Sequence, residues 1–250
     1  MTDQSLPAGG FAERDFNIGQ VFNRTVAIWS RNLLPFGVVA AIAALPSALL
    51  LTPGVDLVPE DVAGAVIGVL GVILILVLGA LSQAVVLYGA FDDMRGRPVD
   101  IVESMKVGLR RFFPVLGVAI FVPVLTTLAG VALIFPGFIV ATMLFVAMPA
   151  CVVEQLGPFK AMGRSAGLTK GHRWKIFGIW FAVLLVGGMA QSMLQAAAAG
   201  VGGSVVSVLV AVLWGAVYGA FSAVLAVVTY HDLRVAKEGV DTDQIASVFD

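Results

Sequence analysis

The chain has 250 residues, 59% hydrophobic and 12% charged, with net charge −1 and a mean hydropathy of +0.99. Soluble domains are about 45–50% apolar and about 25% charged, so a water-soluble fold of this size is excluded, as is the basic excess that nucleic-acid binding requires. Cys151 is the only cysteine, so no intrachain disulfide or cysteine metal cluster can form, and it reads as a small apolar packing residue.

Residues 1–15 are mostly polar, include Pro7, Gly9 and Gly10, and place no apolar stretch behind a basic start. They do not read as a secretory signal, and the first hydrophobic run is expected to stay as an anchor. Asn17 to Arg31 predicts an amphipathic helix: Asn17 caps with Gln20 three residues on, and Ile18, Val21, Phe22, Thr25 and Trp29 recur at helical spacing. Its apolar stripe is too narrow to span a bilayer and broad enough to lie at its surface.

Roughly 20 apolar residues cross a bilayer core, and the runs predict six spans. These are Leu33 to Leu51, Val62 to Phe91, Phe113 to Phe135, Gly137 to Val153, Trp174 to Ala199 and Ser204 to Tyr230. The second is longer than a bilayer requires, so it is expected to tilt or project. Pro136-Gly137 implies a tight hairpin between the third and fourth spans, and Pro149 lies near the fourth span's end. Two more amphipathic helices are expected. One starts at Asp100 and Glu103, with a stripe of Val102, Met105, Leu109 and Phe112; the other starts at Pro158 and continues through Phe159, Met162 and Ala166. The domain reading is a polar tail at 1–15, an all-α six-helix membrane domain at 16–235, and a C-terminal tail at 236–250.

All 15 lysines and arginines fall on one side of these spans, from Arg14, Arg24 and Arg31 through Arg95, Arg97 and the later loops to Arg234 and Lys237. The opposite loops hold Asp56, Glu60 and Asp61, a proline-glycine turn, and the uncharged 200–203 stretch. Short basic loops stay cytoplasmic, which places both termini in the cytoplasm. An interfacial helix, a basic end and a helical hairpin occur three times, suggesting a threefold internal repeat. The plainer account is that alternating topology imposes such spacing on any six-span protein.

Phe16-Asn17-Ile18-Gly19, Asn32-Leu33-Leu34-Pro35, Phe135-Pro136-Gly137 through Pro149, Glu154, Gly157, Ala161, Arg164-Ser165 and Leu168-Thr169-Lys170-Gly171 together form a recurring pattern. With Tyr230-His231-Asp232-Leu233-Arg234 and Lys237-Glu238-Gly239-Val240-Asp241, it resembles the glycerophosphoryl diester phosphodiesterase membrane domain and the YciC-like bacterial membrane proteins. The resemblance implies a multi-helix bacterial membrane protein whose biochemical role is poorly defined at family level. It does not imply hydrolysis, because the phosphodiesterase barrel that accompanies this region in some members would need about 250 further residues.

Candidate sites are few. His172 and His231 stand in basic or acidic flanks without ligand-pair spacing, so no metal site, catalytic group or cofactor is expected. No span carries a charge in its middle, where ionisable residues mark ion pathways. Glu154 ends the fourth span; its plainest account is a solvated or salt-bridged helix end, and its functional one is a cytoplasmic lock with Arg164 or Lys170. Arg110, Arg111, Lys170, Arg173 and Lys175 stand at head-group level, where they set topology and would contact anionic lipid. Trp29 and Trp174 fit an interfacial aromatic belt.

Uncharged polar residues inside the spans are Ser82, Gln83, Tyr88, Thr126, Thr127, Gln191, Ser192, Gln195, Tyr218 and Ser222. Such residues more often bond between helices than line a cavity. Gly64 with Gly68 and Gly215 with Gly219 permit close helix contact, within the bundle or across a dimer. The expected function is a non-enzymatic multi-pass protein that organises lipid or partner proteins at the cytoplasmic face. The alternative is a channel or transporter for a small or amphiphilic solute, with Pro35, Pro46, Pro123 and Pro149 breaking helices around a cavity. Expected partners are membrane lipids, and a membrane-protein partner or a second copy; nucleic acid is not among them.

Overall fold

The computed structural model describes residues 16–52 and 61–238. The tail 1–15 with Arg14, the loop residues Asp56 and Glu60, and residues 239–250 of the C-terminal tail lie outside the described residues. Within them the chain is helical: α1 (Ile18–Arg31), α2 (Leu33–Leu51), α3 (Val62–Met94), α4 (Ile101–Arg110), α5 (Phe112–Ala132), α6 (Ile134–Leu144), α7 (Ala147–Val153), α8 (Pro158–Thr169) and α9 (Arg173–Glu238). Five segments are long and apolar enough to cross a membrane: α2, α3, α5, the Phe135–Val153 stretch of α6 and α7, and α9.

The 66-residue α9 is not straight. Gly203 has φ 65° and ψ −155°, a region that only glycine occupies without strain. There the chain reverses, and limbs 173–202 and 204–238 lie face to face. Gln195 Nε2 donates to the Ser207 carbonyl at 3.2 Å, and the Tyr218 ring covers Gly187, where a side chain would collide with it. On the second limb, Gly215 and Gly219 face Ala44 and Ala40 of α2. The small-residue pair therefore serves close packing inside this bundle.

The stretch from α6 to α7 is broken for an identifiable reason. Pro149 has no N–H for the carbonyl four residues back, and its ring crowds that carbonyl. The helix interrupts at Phe145 and Val146, and the Met143 carbonyl accepts a 2.7 Å hydrogen bond from Ser165 Oγ of α8. The tight turn ahead of α6 brings Gly137 against the Gly130 backbone of α5.

The three short amphipathic helices share one design. The Asn17 side chain caps α1 at Gly19 N and Gln20 N, and Asp100 caps α4 at Val102 N and Glu103 N; Pro158 opens α8. Each buries one face: Val21, Thr25 and Ile28 on α1, Ser104 and Gly108 on α4, and Ala161, Ser165 and Leu168 on α8. Each also exposes an apolar face: Ile18, Phe22 and Val26; Val102 and Leu109; Phe159. A polar face completes each, with Gln20 and Arg24, Glu103 and Arg110, or Lys160 and Arg164. At about 100° per residue, the faces follow in the same rotational order in all three.

α4 packs on α3 and α8 on α7, in each case the helix just before it, whereas α1 packs on α9. Phe22 and Trp29 of α1 meet Phe221 edge-on at 5.7 and 5.9 Å, and Arg24 pairs with Asp232 at 2.6 Å. The apolar stripe expected for α1 is thus divided: Val21 and Thr25 are buried, while Ile18 and Phe22 stay exposed. All described lysines and arginines gather at one end of the bundle. Fully buried side chains lie toward that end, among them Leu87, Cys151, Val227, Tyr230 and Leu233.

Candidate functional site

Three cross-links mark the level of the basic end. Asn32 Nδ2 bonds Asp93 Oδ1 at 3.1 Å between α2 and α3, Arg111 donates to the Gln155 carbonyl at 2.9 Å beside α5, and the Tyr230 hydroxyl donates to Glu154 Oε1 at 2.6 Å. From that level inward the chain is first tightly packed. It then opens into a cavity of about 710 Å³ bounded by α2, α3, α5, α6, α7 and both limbs of α9.

The cavity is graded along its depth. Its inner end, toward the basic face, is lined by apolar groups that include Val86, Val118, Met148, Leu225 and Ala226. Farther in stands a belt of uncharged polar side chains: Ser47, Ser82, Gln83, Thr126 and Tyr218. Counted along their helices from the cross-links, these lie roughly 10 to 15 residues deep, about 15–22 Å at 1.5 Å per residue. Ser222 lies one turn nearer the inner end, and its buried Oγ has no hydrogen-bond partner. No charged side chain lines the cavity.

Of the uncharged polar residues singled out in the sequence, Ser82, Gln83, Thr126, Tyr218 and Ser222 line this space. Others are used differently: Gln195 joins the limbs of α9, and Ser192 bonds back to the Gly188 carbonyl at 2.7 Å. Ser47 was missed. Its signal is the Ala40, Ala43, Ala44, Ser47 series, small residues at helical spacing that leave one face of α2 open.

Beneath the cavity, the structure brings Glu154 and Arg164 together. Arg164 Nε donates to both carboxylate oxygens, at 2.8 and 2.9 Å. The cluster extends further than the sequence indicated: Arg164 Nη1 pairs with Glu238 Oε1 at 2.6 Å, and Glu238 Oε2 pairs with Arg234 at 3.1 Å. Hydrogen bonding to the Glu238 carboxylate, opposed by partial burial and reinforced by Glu154, raises the pKa of the Arg164 guanidinium well above its ordinary value. The cluster ties α7, α8 and the end of α9 together. Lys170 is exposed, and another α9 residue, Lys237, donates to the Gly167 carbonyl on α8.

The residues expected to contact anionic lipid divide as well. Arg111 is committed to Gln155, and Lys175 donates to the Phe16 carbonyl at 3.1 Å; Arg110 and Lys170 are exposed, and Arg173 is half-buried. Trp174 is exposed, whereas Trp29 is half-buried against Phe221. His172 stacks edge-on with Phe16, and His231 sits between Arg24 and Asp232. Among the described residues, no three His, Cys, Asp or Glu side chains gather as ligands for a metal. The chain matches no family model, no curated protein and no solved structure.

Proposed function

We propose that the chain is a non-enzymatic six-span protein of a bacterial inner membrane, with both termini cytoplasmic, that takes a membrane-borne amphiphile into its central cavity. The two limbs of α9 supply the fifth and sixth spans, and the basic end is the cytoplasmic one by the distribution of Lys and Arg. The cavity carries this reading. It is apolar at its closed end, polar and uncharged at mid-depth, and plugged toward the basic face by packed side chains and the Glu154 cluster.

The shared design of α1, α4 and α8 supports a threefold repeat. Each helix rests on the second helix of a hairpin, and α1 closes the ring by resting on the last limb. This arrangement also favours the second reading, in which the protein organises lipid or partner proteins at the cytoplasmic face, because each short helix presents an apolar and a polar face outward. The resemblance to the phosphodiesterase membrane domain agrees with such an architecture and adds no catalytic role.

Cells fed diazirine-bearing fatty acids build photoreactive lipids that test the cavity directly. Cross-links on cavity residues such as Gln83, Thr126 and Ser222 are expected. Labelling confined to outward residues such as Leu70, Leu128 and Val205 would overturn the proposal.

A further inference from the structure

Resting on the amphiphile reading above, we infer that the ligand is an uncharged molecule with one hydrogen-bonding group, such as a long-chain alcohol, seated with its apolar body toward the basic end. The lining fixes the charge. Ser82, Gln83, Thr126 and Tyr218 supply hydroxyls and a carboxamide, Ser47 adds an acceptor because its hydroxyl already donates to the Ala44 carbonyl at 2.9 Å, and no cation or anion stands among them. These groups can donate to and accept from a hydroxyl or amide, but a carboxylate, phosphate or ammonium would be buried there without a counter-charge.

The lining also fixes the direction. Beyond the belt the apolar lining is Ile75 and Leu76, whereas the closed end carries the larger apolar set of Val86, Val118, Met148, Leu225 and Ala226, so the apolar body occupies the closed end and the polar group stops at the belt. The Ser222 hydroxyl, one turn nearer the closed end, is sealed from the cavity, so the belt of Ser82, Gln83, Thr126 and Tyr218 is what meets that group. Trp180 lines the cavity about seven residues along the first limb of α9, close to the closed end, and reports on what reaches it.

The test uses that indole. Trp29, Trp174 and Trp214 are replaced by Phe, and the full chain in neutral-lipid nanodiscs is titrated with terminally brominated undecanol, ionised undecanoate, undecyl trimethylammonium and undecane. The four are compared at equal membrane concentration. Saturable quenching of Trp180 is expected from the alcohol at concentrations at least about tenfold below those needed for either ion. The doubly substituted Gln83→Leu, Thr126→Val protein should bind the alcohol no better than the alkane. Bromine placed beside the hydroxyl should quench less than bromine at the far end.

Equal binding of all four probes, or tighter binding of an ion, would overturn this inference and leave the amphiphile reading standing. Binding of none would remove both. Thermal unfolding of the unaltered protein with the same unbrominated series gives a second readout that needs no tryptophan substitution, with stabilisation by the alcohol above either ion as the expected result.

Discussion

Tyr230 and Glu154 are separated by 76 positions in the chain and joined by a 2.6 Å hydrogen bond from the phenol to the carboxylate. Tyr230 is fully buried and Glu154 is 18% exposed, so this bond fixes the last limb of α9 to the end of α7 directly beneath the cavity. Hydrogen bonds to charged groups contribute about 1.5–3 kcal/mol. Tyr230→Phe is therefore expected to lower stability by that order in detergent unfolding while leaving the helix content unchanged. A Tyr230→Phe protein as stable as the parent would show the contact to be incidental.

A double-mutant cycle on Glu154→Gln and Arg164→Met should show coupling of about 0.5–3 kcal/mol, because the two side chains meet through both carboxylate oxygens and are only partly exposed. Glu238 shares the same guanidinium, so Glu238→Gln should weaken the measured coupling or alter it. Strict additivity between Glu154 and Arg164 would mean that solvent screens the pair as it does an ordinary surface bridge.

The break between α6 and α7 makes a sharper demand. Ser165 is fully buried and gives its hydroxyl proton to the Met143 carbonyl, so Ser165→Ala removes the shorter of two hydroxyl contacts on that acceptor, with Thr169 Oγ1 remaining at 3.5 Å, at a cost of about 0.5–1.5 kcal/mol. Ser30→Ala removes a hydroxyl that bonds the Ala27 carbonyl on the exposed side of α1 and should change stability by under about 0.5 kcal/mol. Comparable losses in the two variants, read as shifts in melting temperature, would contradict the proposed support of the broken helix.

On α1, Val21→Glu puts a carboxylate into a fully buried apolar contact and should cost a few kcal/mol unless the helix detaches. Asn23→Glu lies on the exposed side and should be tolerated. Phe22→Glu occupies the outward apolar face against Phe221, and its expected signature is weaker membrane-surface contact with a smaller loss of stability. Protease sensitivity of the α1 to α2 junction separates the three. Equal sensitivity in all of them would make α1 an ordinary solvated leader.

Much of the architecture was readable from short-range pattern. Apolar runs located α2, α3 and α5, side-chain caps at Asn17 and Asp100 started their helices, and Gly200 to Gly203 marked the turn that folds α9. Contacts made across long separations were not readable. Arg24 meets Asp232 and Arg31 meets Asp93, yet nothing in the local sequence selects those partners from the other charges at the same level. Pro149 announced a broken helix, but the break falls at Phe145 and Val146, and the Met143 carbonyl beside it is met by Ser165, 22 positions away. Which polar residues of the long apolar helices face inward depended on the rotation of each helix. Ser82 and Gln83 therefore reach the cavity while Ser192 bonds its own helix.

The most direct measurement is the density inside the bundle of the protein solved in nanodiscs made with its native lipids. An elongated density is expected, with its apolar part between Met148 and Leu225 and one end at the belt of Ser82, Gln83 and Thr126, closed off from the basic end by the Tyr230 and Glu154 contact. A cavity collapsed onto its own side chains, or an ordered water path running through to the basic face, would contradict the proposal that this chain holds an amphiphile.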